Sequence, residues 1–172
     1  CGVDQTPGFG GFDDRGTPVG FEIDLCRAIA AAVLKDATAF QLQRVTTKYK
    51  FSALAEGELD VAFGMTTWTF ERDTAMGVAF PAVTFHDGQG FMKWSDVTDP
   101  WAASSVICAQ SGTTSASNLA EYLARRRSPA KVLTLSSSEE KLNAFAERRC
   151  GVVTGDSTEL AAQKNRRAAM QG

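Results

Sequence analysis

A chain of 172 residues, 44% of them hydrophobic, can bury one good core or two small ones. Its net charge of −2 gives no electrostatic reason to expect nucleic acid or an anionic membrane surface as a partner. No apolar run approaches the ~20 residues that span a bilayer, and no basic start followed by an apolar middle marks a secretion signal, so an exported form of this sequence is expected to have lost its leader already.

Taken in chain order, strands and helices alternate, which predicts an α/β architecture with mostly parallel sheets flanked by helices. Residues 1–3 read as a strand, 21–34 as an amphipathic helix, 40–45 as a strand, 51–56 as a short helix closed by Gly57, and 61–63 as a strand. Residues 83–94, with Gly88 and Gly90 inside them, suit a connection between two halves. The pattern then restarts, with strands at 105–109, 131–135 and 151–154 and helices at 114–126, 139–149 and 157–167. Ser136, Ser137 and Ser138 offer an N-cap for the helix that opens on Glu139 and Glu140. Two lobes are expected, 1–92 and 93–172.

Cys1, Cys26, Cys108 and Cys150 allow three pairings, and the spacing does not choose among them. None sits in a CxxC or Cys/His arrangement, so no metal site is expected. Four buried free thiols are the alternative to disulfides.

Chemistry concentrates in the run from Asp60 to Asp73, a strand breaking into a Thr-rich turn that carries Arg72. A guanidinium with hydroxyls and amides beside it can hold a carboxylate. In the second half, residues 110–114 (Gln-Ser-Gly-Thr-Thr) join a strand to a helix, where backbone amides favour an anionic group; the same turn also suits simple capping. Asp156 follows a strand and is placed either to receive an ammonium group or to cap the next helix. The single histidine, His86, falls in the connection, and no nucleophile elbow, phosphate loop or metal cluster is visible.

These motifs resemble those of the periplasmic solute-binding proteins that feed polar amino acids to ABC importers. The family opens its first helix with GF-[DE]-[IV]-D-L, here Gly20 to Leu25, and enters its ligand-binding strand through AL-x-x-G-[EK]-[IL]-D, here Ala53 to Asp60. The branch that binds general L-amino acids is similar at Thr66-Thr67-Trp68-Thr69, Arg72-Asp73-Thr74, residues 87–92 and residues 111–114, in one collinear order. The resemblance implies a type II periplasmic-binding-protein fold of two α/β lobes with a ligand cleft, no catalysis and no cofactor. It implies Arg72, Thr67 and Thr114 on a ligand carboxylate and Asp156 on its amine, with Phe9, Phe12 and Trp68 along the apolar wall and Thr66 and Met65 also among the ligand-binding residues. It favours the pairs Cys1–Cys26 and Cys108–Cys150; a lipid-modified Cys1, which would leave Cys26 unpaired, ranks second. Implied partners are a small amino acid and the membrane subunits of an ABC importer, with a periplasmic or extracellular location.

Two departures from the family stand out. Gly64-Met65 replaces an Arg-Asn pair or a serine, and a thioether cannot accept from an ammonium as a hydroxyl or amide oxygen does. The family also continues for roughly another third of its length past Gly172; such a C-terminal truncation is expected to leave apolar faces exposed and to drive homo-oligomer formation. Two other functions follow from the same pattern: an oligomeric assembly or sensing module, and a dehydratase-like enzyme on the same fold.

Overall fold

The computed structural model describes residues 1–6 and 8–170, with side chains described through residue 165, and divides into two compact units, Cys1–Phe85 and His86–Gly172.

In the first unit, β1 (Gly2–Val3) pairs in parallel with β4 (Gln43–Arg44), and on its other side Gly2 makes a parallel bridge to Ala62. The centre of this small sheet is crowded: a Cβ on Gly2 would lie 2.8 Å from Leu59 Cδ1 and 2.9 Å from Val45 Cγ1, so only glycine lets the flanking segments close. A hairpin of β2 (Gly11–Phe12) and β3 (Pro18–Val19) turns on Asp13, whose Oδ1 accepts from the amides of Arg15 and Thr17. Helix α1 (Phe21–Leu34) starts at Gly20, where φ of 126° and a contact of 2.4 Å between a would-be Cβ and Phe9 O admit no side chain. It buries Ile23 and Cys26 against Val3, with Cys1, Phe40, Leu42 and Phe63 packed around them. Each such large apolar side chain contributes about 1.5–3 kcal/mol by leaving water. The Cys1–Cys26 disulfide ties the first strand to this helix. Helix α2 (Tyr49–Ala55) packs Ala53 with Val45 and Leu59, and α3 (Phe70–Ala75) follows the Thr-rich turn.

The second unit holds a four-stranded sheet, ordered β5 (Gln89–Lys93), β8 (Val152–Asp156), β6 (Val106–Gln110), β7 (Lys131–Leu135). Strand β6 is parallel to both neighbours, and β5 runs antiparallel to β8 along its whole length. Side chains alternate across the sheet. Ile107, Ala109 and Val152 meet Leu119 and Leu123 of α4 (Thr114–Arg126), while Cys108 and Val153 meet Leu142, Ala144 and Phe145 of α5 (Ser138–Ala146) and Leu160 of α6 (Ser157–Met170). The unit is therefore a sheet between two helical layers. Cys108–Cys150 bonds β6 to the loop before β8.

Several expected elements shift. The strand expected over 40–45 pairs only at Gln43–Arg44, and that over 61–63 shrinks to the Ala62 bridge. Helix α2 starts earlier, at Tyr49. Helix α5 stops at Ala146 rather than 149, with Ser137 as its N-cap accepting from Glu140 N. The glycine-marked connection contains a strand: residues 89–93 form β5, because their backbone finds a full ladder of partners in β8. This strand belongs to the unit that starts at His86.

Candidate functional site

Within the first unit the turn after Ala62 collects Met65, Thr66, Thr67 and Arg72. Gly64 has φ of 110° and Met65 φ of 47°, so two successive residues take a left-handed backbone, which for methionine costs about 1 kcal/mol or more. Groups distant in sequence hold that shape. Glu22 Oε1 accepts from Gly64 N at 2.8 Å and Met65 N at 2.9 Å, and Lys50 Nζ donates to Gly64 O at 2.8 Å. Both charged side chains are buried, Glu22 4% and Lys50 2% exposed. Burial pushes the Glu22 carboxyl up from its ordinary value of 4.5; the Met65 and Gly64 amides and Lys50 pull it back down, and Asp4 adds to the rise.

Arg72 lies in α3, whose N-cap is Thr69, with Thr69 Oγ1 accepting from Arg72 N at 3.2 Å. Its Nη1 donates to Thr67 O at 2.8 Å and its guanidinium carbon stands 5.2 Å from the Phe51 ring centroid. Only 7% exposed, the guanidinium is fixed by a carbonyl on one side and an aromatic face on another. Thr66 is half-buried, its hydroxyl reaching Gly64 O at 3.4 Å, and Thr67 is exposed. Trp68, 52% exposed, stacks on Phe80 with ring centroids 6.2 Å apart. Phe9 sits in an edge-to-face trio with Phe21 and Phe85, at 6.1 and 5.0 Å. Phe12 is an exposed hairpin residue.

In the second unit, Thr114 is the first residue of α4, and the cap is its neighbour Thr113, whose Oγ1 accepts from Ala116 N. Asp156 ends β8, half-buried. A side chain without an assigned role joins these two positions: Gln89 Nε2 donates to Ser115 O at 3.0 Å and to Thr154 Oγ1 at 2.9 Å, its Oε1 accepts from Asn118 Nδ2, and its backbone is the register partner of Asp156. At the head of α6 it is Asp87 Oδ2 that accepts from Thr158, through both the amide at 3.3 Å and the hydroxyl. Among the described residues no group of His, Cys, Asp and Glu could hold a metal ion, and no helix is long and apolar enough to cross a membrane.

Glu22, Lys50 and Gln89 carry no ligand role in the sequence motifs. The available signal was a charged residue set among apolar neighbours, as Glu22 between Phe21 and Ile23 and Lys50 between Tyr49 and Phe51.

Residues 1–169 match the family described as bacterial extracellular solute-binding proteins, family 3. The chain is 40% identical over 164 residues to the general L-amino acid-binding periplasmic protein AapJ of Rhizobium johnstonii, covering 93% of this chain and 48% of the relative. It is 36% identical over 170 residues to the glutamate/glutamine/aspartate/asparagine-binding protein BztA of Rhodobacter capsulatus, covering 95% and 50%. Among solved structures, an ABC transporter periplasmic binding protein from Brucella ovis with glutathione bound superposes with a TM-score of 0.87 at 34% identity, covering 96% of this chain and 54% of that one. The chain spans about half the length of these relatives. With a match along nearly its whole length, this chain is a member of the family 3 bacterial extracellular solute-binding proteins.

Proposed function

We propose that the chain captures an L-amino acid, or a small molecule carrying an α-amino-acid head, outside the cytoplasm for an ABC importer, and that it does so without chemistry. The observation that carries this reading is Arg72: a buried guanidinium, oriented by Thr67 O and the Phe51 face, on a hydroxyl-bearing turn in a member of this family. The ligands named for the three relatives, general L-amino acids, four acidic and amide amino acids, and glutathione, share an α-carboxylate beside an ammonium. Two intact disulfides agree with an oxidising compartment.

In this reading Arg72, Thr66 and Thr67 take the carboxylate, Thr114 adds a hydroxyl to it, and Asp156 accepts from the ammonium. Met65, Trp68 and Phe9 meet the apolar part of the ligand; the thioether at Met65 favours an apolar or sulfur-bearing contact over a hydrogen-bonding one. Importer membrane subunits are the partners. Self-association through the exposed apolar face of α1, with Val33 71% and Leu34 57% exposed, belongs to the same reading, and a monodisperse monomer in light scattering at micromolar concentration removes it.

Calorimetric titration of the ligand-stripped chain with the common L-amino acids and glutathione tests the capture. Saturable binding is expected, weakened at least about thirtyfold by Arg72→Ala, since loss of one partner of a buried charge pair costs about 2–5 kcal/mol. Equal affinity in Arg72→Ala overturns the carboxylate assignment, and absence of binding by the wild type overturns the function.

A further inference from the structure

The geometry points to Glu22 and Lys50 as positioning residues for ligand capture: a buried carboxyl group and a buried ammonium that clamp the Gly64–Met65 turn and thereby set the direction in which Thr66, Thr67 and Arg72 present themselves. This rests on the function proposed above and adds residues that touch no ligand.

The turn needs an external restraint. Gly64 and Met65 both have positive φ, and a non-glycine residue there is retained only where its surroundings hold it. Successive amides in such a backbone converge on one point and form a small anion-binding nest. Glu22 Oε1 occupies that point, taking both amides at 2.8 and 2.9 Å, and comes from α1, a distant part of the chain. The carbonyl of the same Gly64 is taken from the other side by Lys50 of α2 at 2.8 Å. One residue is thus gripped by opposite charges from two helices.

The clamp is built tightly. A Cβ on Gly64 would lie 3.0 Å from Asp4 Cβ and 3.3 Å from Lys50 Nζ, so both neighbours would have to give way, on a φ of 110° that side chains rarely adopt. The second carboxyl oxygen, Glu22 Oε2, is buried with no hydrogen-bond partner among the described residues. From the gripped residue the line runs straight to the ligand contacts: Thr66 and Thr67 follow Met65, and Thr67 O receives Arg72 Nη1.

The test compares wild type, Glu22→Ala, Glu22→Gln, Lys50→Met and Arg72→Ala by titration with L-glutamate, L-glutamine, L-arginine, L-cysteine and glutathione, and follows exchange of the Gly64 and Met65 amides by NMR. Expected are slow exchange of both amides in the wild type, and in Glu22→Ala exchange at least tenfold faster with affinity at least tenfold weaker. Glu22→Gln keeps an acceptor oxygen and is expected within threefold of wild type in both readouts, a rescue that general destabilisation of the unit would not give. Where Glu22→Ala does not fold, Lys50→Met decides, with the same tenfold losses expected. Affinity within threefold of wild type in a folded Glu22→Ala or Lys50→Met, while Arg72→Ala abolishes binding, overturns the clamp and leaves the function standing. Fast exchange of both amides in the wild type overturns it without any variant. No binding by the wild type overturns the function and the clamp with it.

Discussion

Lys141 of α5 and Glu159 of α6 form an ion pair at 2.7 Å, with their side chains only 3% and 9% exposed, against the backbone of Gly155. A Cβ on Gly155 would lie 2.6 Å from Glu159 Oε2 and 2.7 Å from Lys141 Nζ, so the strand's lack of a side chain makes room for the pair. Ser138 Oγ donates to the other carboxyl oxygen. The two helices on one face of the sheet are thereby pinned to each other and to the end of β8, next to Asp156.

A buried pair of this kind contributes little net stability but is costly to break. Lys141→Met is expected to destabilise the second unit by about 3–5 kcal/mol, because Glu159 is left buried without its counter-charge. The double variant Lys141→Met/Glu159→Leu is expected to recover most of that loss. Urea unfolding of the wild type, Lys141→Met, Glu159→Leu and the double variant measures it; a double-variant loss equal to the sum of the two single losses would show that the pair is not energetically coupled.

The two disulfides differ in access. Cys108 and Cys150 are 0% and 1% exposed, whereas in the other pair Cys1 is half-buried and Cys26 is 2% exposed. Mild reductant without denaturant is expected to open Cys1–Cys26 first, with Cys108–Cys150 reduced only on unfolding of its unit. Alkylation followed by peptide mass mapping reads the order. Removing Cys108–Cys150 is expected to cost about 2–5 kcal/mol.

Glu22 gives stability a pH dependence of unusual sign for a carboxylate. Its folded-state pKa is raised above 4.5, chiefly by burial, so the native chain takes up this proton at higher pH than the unfolded chain. The group's contribution is most favourable below the unfolded value and is lost as pH rises through the folded one. Relative to Glu22→Gln, the wild type is expected to lose stability on going up from about pH 4.5, with a slope of at most about 1.4 kcal/mol per pH unit. Asp36, Asp96 and Glu140 are shifted the other way, by Thr38, Arg148 and Ser136, so their contributions fade only as pH falls, and they cancel in the comparison. Parallel denaturant titrations across the acid range check it; a difference that does not change with pH would remove the assignment.

Local pattern already carried much of this protein. Helix α1 was legible because its buried positions recur at helical spacing, and the strands that became β6, β7 and β8 because apolar runs are bounded by turn residues. Motif resemblance brought out the turn with Arg72 and both cysteine pairs. Local pattern could not supply groups whose partners lie far along the chain. Residues 89–93 read as a linker because glycines weaken a strand locally, and only the ladder with β8 makes them one. Glu22 looks like an ordinary acidic residue in a helix's first turn until folding brings Gly64 and Met65 to it, and Lys141 and Glu159 look like solvated helix charges until Gly155 lets them meet. The sequence by itself located helices α1, α4 and α6 and strands β6, β7 and β8, since their side-chain periodicity and apolar runs are local. Only the tertiary structure decided which charges are buried and what they hold, because burial and pairing depend on the packing of elements that sequence distance keeps apart.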